Sequence, residues 1–165
     1  MSLNPSMNRV SARALLVGVC LVTSFLAVND VAAKDKQLKK SDLPTAVQKT
    51  ADEQSKGATV RGYASEVEDG KLQYEVQLTV NGHSKDVSIA PNGNVLEIEE
   101  QVALDALPAP VREGLQKRAG AGQITKVESL TKHGTLVAYE AQVLTGKKRS
   151  EIQVGPDGKP LAHPE

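Results

Sequence analysis

Two tyrosine–glutamate pairs are the residues of this chain best suited to acid–base chemistry. Tyr74-Glu75 stands in the segment YEVQL and Tyr139-Glu140 in YEAQV, and the chain has only one further tyrosine. A phenol and a carboxylate that converge on a substrate can exchange protons with it. Apolar and polar residues alternate through these segments, which predicts β-strands, and successive side chains of a strand point to opposite faces. The sheet therefore separates each tyrosine from its glutamate, and the pairs are not predicted to be catalytic.

Histidines and carboxylates elsewhere are also candidates for chemistry. His83, His133 and His163 lie far apart in the sequence, and no two show the short spacing of zinc ligands, so no metal site is predicted. Glu66 and Glu68 would share a strand face, but no histidine or nucleophile accompanies them, which favours a solvated edge. The chain also lacks a nucleophile elbow, a phosphate-binding loop and a dinucleotide-binding glycine motif. We therefore predict a protein that is not an enzyme, has no catalytic residues and uses no cofactor.

The first 33 residues have the pattern of a secretory signal peptide. Arg9 and Arg13 precede an uncharged apolar stretch, 14–28, and small residues end the segment at Ala33. A permanent membrane-spanning helix needs about 20 apolar residues, so cleavage is favoured over anchoring. We predict a periplasmic or secreted protein with no membrane attachment after cleavage.

Charge and composition argue against binding to nucleic acid. The chain has 20 lysines and arginines against 20 aspartates and glutamates, so no strongly basic surface is expected. Tryptophan is absent, and Phe25, the only phenylalanine, lies in the signal peptide, so bases would find few aromatic rings to stack on. Cys20, the only cysteine, also lies in the signal peptide, which excludes disulfides and thiolate chemistry from the mature chain.

The remainder of the chain is an internal duplication with an offset of 64 or 65 residues. The segments LPTAV (43–47), YEVQL (74–78) and PNG (91–93) recur as LPAPV (107–111), YEAQV (139–143) and PDG (156–158). We divide the chain into a signal peptide at 1–33, a Lys-rich linker at 34–41, a first repeat at 42–100, a second repeat at 101–162 and a tail at 163–165.

Each repeat has the pattern of a helix followed by four strands. A stripe of apolar residues every four positions from Leu43 predicts the first helix, and Ser41 or Asp42 is expected to cap it. Strict alternation at 71–80 predicts a strand, and the preceding strand, 59–68, needs a bulge if both of its large apolar side chains are to face the helix. One unit of about 60 residues buries little apolar area. We therefore predict one α+β body, a tandem repeat of a helix followed by a four-stranded antiparallel meander, with the helices on one sheet face.

The polar rows of the predicted sheet form the candidate binding surface. With both helices on one face, the opposite face of an antiparallel sheet stays open. The residues on this face predicted to contact a partner are Gln73, Glu75, Gln77, Thr79, Glu140 and Gln142. Plain solvent exposure of the same residues is the alternative.

Residues 43–161 contain, in this order, LPxxV, a glycine turn, YEVxL, a hairpin glycine and P[ND]G. This pattern resembles the PepSY-like family, also described as β-lactamase-inhibitor-like. The resemblance implies an exported bacterial protein with a helix packed on an antiparallel sheet, often in tandem, and it brings no catalytic residues. Similarity to the β-lactamase inhibitor fold implies an open sheet face that binds and blocks a protein. Similarity to PepSY modules implies that the blocked protein is a peptidase of the cell envelope. The face here offers glutamine, glutamate and threonine rather than the Trp, Tyr and Arg anchors of tight interfaces, which argues for weak or regulatory binding.

Two functional hypotheses result. The first is an exported, non-enzymatic binding or inhibitor-like protein that docks a cell-envelope protein, with a peptidase as the candidate class, through the open sheet face. The second is a small-ligand or metal-binding envelope protein that uses the groove between the repeats, where histidines or carboxylates would converge. Neither hypothesis involves nucleic acid.

Overall fold

The computed structural model describes residues 36–68 and 70–165. The predicted signal peptide, 1–33, lies outside these residues. Within the described part of the chain, neither helix is long and apolar enough to span a bilayer.

Across residues 36–68 and 70–165, eight strands form one antiparallel sheet in which every strand pairs with its neighbour in the chain. The strands are β1 (Lys36–Leu38), β2 (Thr59–Glu68), β3 (Lys71–Val80), β4 (His83–Ile89), β5 (Val95–Gln101), β6 (Gln123–Lys132), β7 (Thr135–Thr145) and β8 (Lys148–Val154). Helix α1 (Thr45–Gln54) connects β1 to β2, and helix α2 (Ala109–Ala119) connects β5 to β6. The two repeats therefore share one continuous sheet, joined where β5 pairs with β6.

The predicted fold class, two helices that each precede an antiparallel meander, is confirmed. In the first repeat α1 is followed by β2 to β5, and in the second α2 is followed by β6 to β8. The fourth strand of the second repeat is reduced to a bridge between Val154 and Pro160, which matches the Ile89–Val95 pair of the first repeat at an offset of 65. The segment 34–41, predicted to be a linker, contributes β1 at the edge of the sheet.

Both helices cover the same face of the sheet because the apolar rows of all the central strands point to that side. The core under α1 consists of Leu43, Val47, Ala51, Val76, Leu78, Val87 and Ile89. The core under α2 consists of Leu107, Val111, Leu115, Val127, Ala141 and Val154. Tyr74 and Tyr139 pack half-buried against these cores, as the alternation predicted.

The start of α1 differs from the prediction. Pro44 directly precedes the helix and no side chain caps it, so neither Ser41 nor Asp42 is the cap. Both residues lie instead in a short 3₁₀ turn, Lys40–Asp42. There the Asp42 carboxylate accepts a hydrogen bond of 3.0 Å from the backbone N–H of Lys39. The cap position must adjoin the helix, and Pro44, whose φ is already fixed, occupies it.

The first long strand contains the bulge that it needs if both of its large apolar side chains are to face the helix. The pairing of β2 with β3 shifts between Val60 and Gly62, which leaves Arg61 without a partner residue in the ladder. A bulge re-aims the side chain of the extra residue. Here it directs the Arg61 guanidinium to the face opposite the helices, where its Nη2 lies 2.6 Å from Asp86 Oδ1.

Candidate functional site: the open face of the sheet

We call the sheet surface opposite the helices the open face. Side chains alternate across the sheet, so the buried residues Val76, Val87 and Ala141 identify the neighbours that point the other way. Neither helix packs on this side in the described residues. The C-terminal segment reaches its β8 margin, where the Glu165 backbone N–H donates a hydrogen bond of 2.8 Å to Gln153 Oε1, and Leu161 and Pro164 line a recess with Glu140 and Glu151.

All six predicted partner-binding residues lie on the open face, in two separate rows. The β3 row contains Gln73, Glu75, Gln77 and Thr79, and the β7 row contains Glu140 and Gln142. Three strands, β4, β5 and β6, lie between β3 and β7 in the sheet. At about 4.8 Å per strand, the two rows are about 19 Å apart.

Gln73 is less available to a partner than the sequence suggested. It is buried, and its amide nitrogen donates hydrogen bonds of 2.8 Å to Glu66 Oε1 and 2.7 Å to Glu68 Oε2. The glutamates at 66 and 68 thus share a face, as predicted, and hold Gln73 in place. Gln77 similarly donates a 3.0 Å hydrogen bond to Glu75 Oε1.

The region between the two rows contains a group of carboxylates that the sequence prediction missed. Asp86 on β4, Glu99 on β5 and Glu128 on β6 have carboxylate oxygens within 4.8 Å of one another. We call these three residues the seam cluster, because Glu99 belongs to the first repeat and Glu128 to the second. For Glu99, the signal in the sequence was the alternation around Ile98, which places Glu97 and Glu99 on the face opposite the core.

Two fixed cations neutralise part of the seam cluster. Arg61 contacts Asp86 at 2.6 Å, and its Nε also donates a 3.0 Å hydrogen bond to the Leu78 carbonyl. Lys126 Nζ lies 2.5 Å from Glu128 Oε1, and Glu128 is only 5% exposed. Each of these two carboxylates thus has a cationic partner inside a partly desolvated cluster.

Glu99 is held protonated near neutral pH by its surroundings. Burial raises the pKa of Glu99 to about 8, with further contributions from the negative charges of Glu128 and Glu97 and from a hydrogen bond to Glu97. Burial likewise raises the pKa of Glu140, although the hydrogen bond that Gln153 donates to it, 2.8 Å long, acts in the opposite direction.

The pKa of Asp86 is also raised despite its contact with Arg61. Burial is the largest cause, and it outweighs the favourable charge of the guanidinium. The open face thus concentrates carboxyl groups in a partly desolvated place, where they can bind protons or cations and can accept hydrogen bonds.

The second hypothesis expected converging histidines or carboxylates between the repeats, and the carboxylates do converge there. Three oxygens of this kind are ligands that a hard divalent cation accepts. The cluster is, however, already close to electrically balanced, because Arg61 and Lys126 offset two carboxylates and the third retains its proton at neutral pH. The histidines do not join it: His83 begins β4, His133 lies in the β6–β7 turn and His163 lies in the C-terminal tail.

Two shallow recesses flank the seam cluster. One, of about 550 Å³, lies over β6 to β8 and is lined by Lys126, Gln142, Arg149 and Glu151 among others. The other, of about 180 Å³, lies over the opposite ends of β3, β5 and β6. Neither encloses a ligand on all sides, so the open face resembles a docking surface more than a small-molecule pocket.

Solved structures with the same fold were found by structural comparison. A protein from Bacteroides eggerthii, described as a predicted periplasmic protein, has a TM-score of 0.60 and 20% identity over 72% of this chain and 86% of its own. A BLIP-like protein from Bacteroides fragilis has a TM-score of 0.54 and 20% identity over 72% of this chain and 83% of its own. The fold is BLIP-like.

A DUF2874 family protein from Bacteroides ovatus is similar to this chain, with a TM-score of 0.58 and 20% identity over 72% of this chain and 84% of its own. No protein-family model matches the sequence, and neither does any curated protein. At such identities the similarity establishes the BLIP-like fold, which the PepSY-like resemblance predicted, and leaves function to be inferred from the site.

Proposed function

We propose that the protein is an exported, non-enzymatic binding protein that docks a cell-envelope protein through the open face. The observation that carries this proposal is the position of both helices on one side of a sheet shared by the two repeats. The other side is continuous across the junction of β5 with β6 and uncovered by either helix in the described residues.

The dimensions of the open face suit a protein partner. Eight strands at about 4.8 Å spacing give a width of about 34 Å, and seven-residue strands at about 3.3 Å per residue give a length of about 23 Å. The resulting area of about 800 Å² is close to what one partner contributes to a standard protein–protein interface. The side chains present, mainly carboxylates and amides, support a polar and reversible contact rather than a tight inhibitor complex.

Export is supported from two directions. The sequence of residues 1–33 has the signal-peptide pattern, and one of the proteins of the same fold, from Bacteroides eggerthii, is described as a predicted periplasmic protein. The partner would then be a periplasmic or secreted protein, and the PepSY-like resemblance favours an envelope peptidase.

A pull-down from envelope extract tests the proposal with two matched charge-reversal variants. Glu75→Lys combined with Glu140→Lys changes the two rows of the open face. Glu53→Lys combined with Glu113→Lys makes the same change at exposed positions of α1 and α2. We expect the first variant to lose a partner that the wild type and the second variant both retain, with circular dichroism confirming that all three are folded. Identical partner sets for the two variants would reject the open face as the docking surface.

A further inference from the structure

The open face is much more acidic than the chain as a whole. Over the full sequence, 20 basic residues balance 20 acidic ones. The carboxylates on the open face are Glu66, Glu68, Glu75, Asp86, Glu97, Glu99, Glu128, Glu140 and Glu151. The cations are Arg61, Lys71, Lys126, Lys132 and Arg149. Nine against five leaves a formal charge of −4 on this face when every carboxyl is ionised, and −3 while Glu99 keeps its proton.

Acidic residues stand directly opposite one another at the seam. Asp86 pairs with Glu99 across β4 and β5, and Glu128 pairs with Glu140 across β6 and β7. Like charges opposite each other destabilise a sheet. In the first pair this repulsion is avoided because Glu99 keeps its proton at neutral pH, so the sheet holds a carboxyl group that it cannot ionise without cost, and its presence requires another reason.

The duplication supplies an internal comparison for one of these pairs. At the position of the first repeat that corresponds to Glu128, the chain has Ala64, and Ala64 pairs with Glu75 as Glu128 pairs with Glu140. Ala64 is 1% exposed, so the sheet accommodates a small neutral side chain at this place without loss of packing. The second carboxylate is thus not a requirement of the fold but a feature added where the repeats meet.

We infer that the partner presents an arginine- or lysine-bearing segment to the seam between the repeats, where it faces Glu99. This inference rests on the proposed function, since it takes the open face as the docking surface and specifies the chemistry of what docks there. A cation complements the excess negative charge of the open face as a whole, and beside Glu99 it takes the place of the proton that keeps Glu99 and Asp86 from repelling each other.

Binding of such a segment should also displace the proton of the Glu99 carboxyl, because of the groups that surround it. Asp86 faces it from β4, Glu128 from β6 and Glu140 from β7, while Glu97 lies on its own strand. Arg61 and Lys126 approach the cluster from its margins, bound to Asp86 and Glu128. Because the pKa of Glu99 is about 8, a bound cation that stabilises its ionised form releases a proton at neutral pH.

A capped hexapeptide of alternating arginine and glycine is the probe, because arginine keeps its charge at every pH used. Titration into ¹⁵N-labelled protein at low ionic strength, followed by NMR, gives both the affinity and the place of binding. We expect shifts in β4, β5 and β6, weaker binding at higher salt, and no binding of the glutamine–glycine and glutamate–glycine peptides. Affinity should rise up to about 30-fold from pH 6.5 to 9, the factor by which the ionised fraction of a group with a pKa of about 8 increases.

Glu99→Gln and Glu113→Gln separate the seam from general acidity, because each removes one carboxylate and only the first changes the open face. We expect Glu99→Gln to abolish the pH dependence of the affinity and Glu113→Gln to preserve it. Absence of binding by the arginine peptide, or equal effects of the two variants, overturns the inference. If the peptide fails while the pull-down still depends on Glu75 and Glu140, docking stands and the cationic partner is rejected; if both fail, the proposed function is rejected as well.

Discussion

Replacing Glu99 by glutamine should stabilise the protein at alkaline pH and leave its stability unchanged in acid. In the folded protein Glu99 has a pKa of about 8, against an ordinary value of 4.5. The folded state therefore binds a proton that the unfolded state releases between these pH values. The free energy of unfolding of the wild type consequently falls as the pH rises from about 4.5 to about 8. Glutamine is never ionised and avoids this loss.

The size of the effect follows from the two pKa values. A difference of 3.5 pH units at about 1.4 kcal/mol each gives a ceiling of about 5 kcal/mol. Glu99 is only half-buried, and solvent screening reduces this to about 2–3 kcal/mol. For a domain of this size such a gain raises the melting temperature by about 10 °C. At pH 5, well below its pKa of about 8, the Glu99 carboxyl is protonated, and an amide can replace it with a change within about 0.5 kcal/mol.

Urea unfolding at pH 5, 7 and 9 measures these differences, with Glu113→Gln on α2 as the exposed control. The control should stay within about 0.5 kcal/mol of the wild type at each pH. A Glu99→Gln variant that is destabilised at pH 9, or whose effect does not vary with pH, would refute the description of the seam cluster.

Two further predictions concern the core and a turn. Leu78→Ala removes a side chain with 0% exposure from the core under α1 and should lower the free energy of unfolding, measured with urea, by about 2–5 kcal/mol. Leu72 is 45% exposed, so Leu72→Ala should lower it by less than about 1 kcal/mol. Similar losses in the two variants would contradict the assigned core. Gly158→Ala should lower the melting temperature by at least about 10 °C, because Gly158 has φ 78° and an added Cβ would lie 2.0 Å from the Pro110 carbonyl oxygen. Gly146→Ala is the control, because Gly146 has φ 63° but open space around it and therefore shows the backbone cost without the clash. Equal losses in the two variants would argue against the close approach of Gly158 to Pro110.

The elements that depend on local patterns could be predicted from the sequence. The alternation from Lys71 to Val80 and the turn at Asn81 and Gly82 identify a hairpin through backbone geometry alone, and the structure has both β3 and β4 there. The duplication then extended the same prediction to the second repeat. The open face followed because a period of two places every second residue of a strand on the side away from the helix.

Features that depend on contacts distant in sequence were missed. The seam cluster requires β5 to pair with β6 across α2, and nothing within either repeat specifies that Glu99 and Glu128 become neighbours. The segment that contains β1 was predicted to be a linker because the charged run KDKQLKK (34–40) has no strand pattern, whereas its three residues Lys36–Leu38 pair with Tyr63–Ser65. The last strand was overestimated because Pro160, at the position of Val95, has no N–H with which to continue a ladder.

In the part of the chain that the structure describes, the sheet does not close on itself, and the outer edges of β1 and β8 carry backbone groups with which the strands of other chains could pair. At one end β1 is only three residues long and lies in a run rich in lysine, and at the other β8 begins with Lys148 and Arg149. Short strands and lysines at an edge are established defences against aggregation. With like charges on both edges, two copies that approach edge to edge repel each other, so that in a crowded compartment the protein should remain soluble while its acidic face stays accessible.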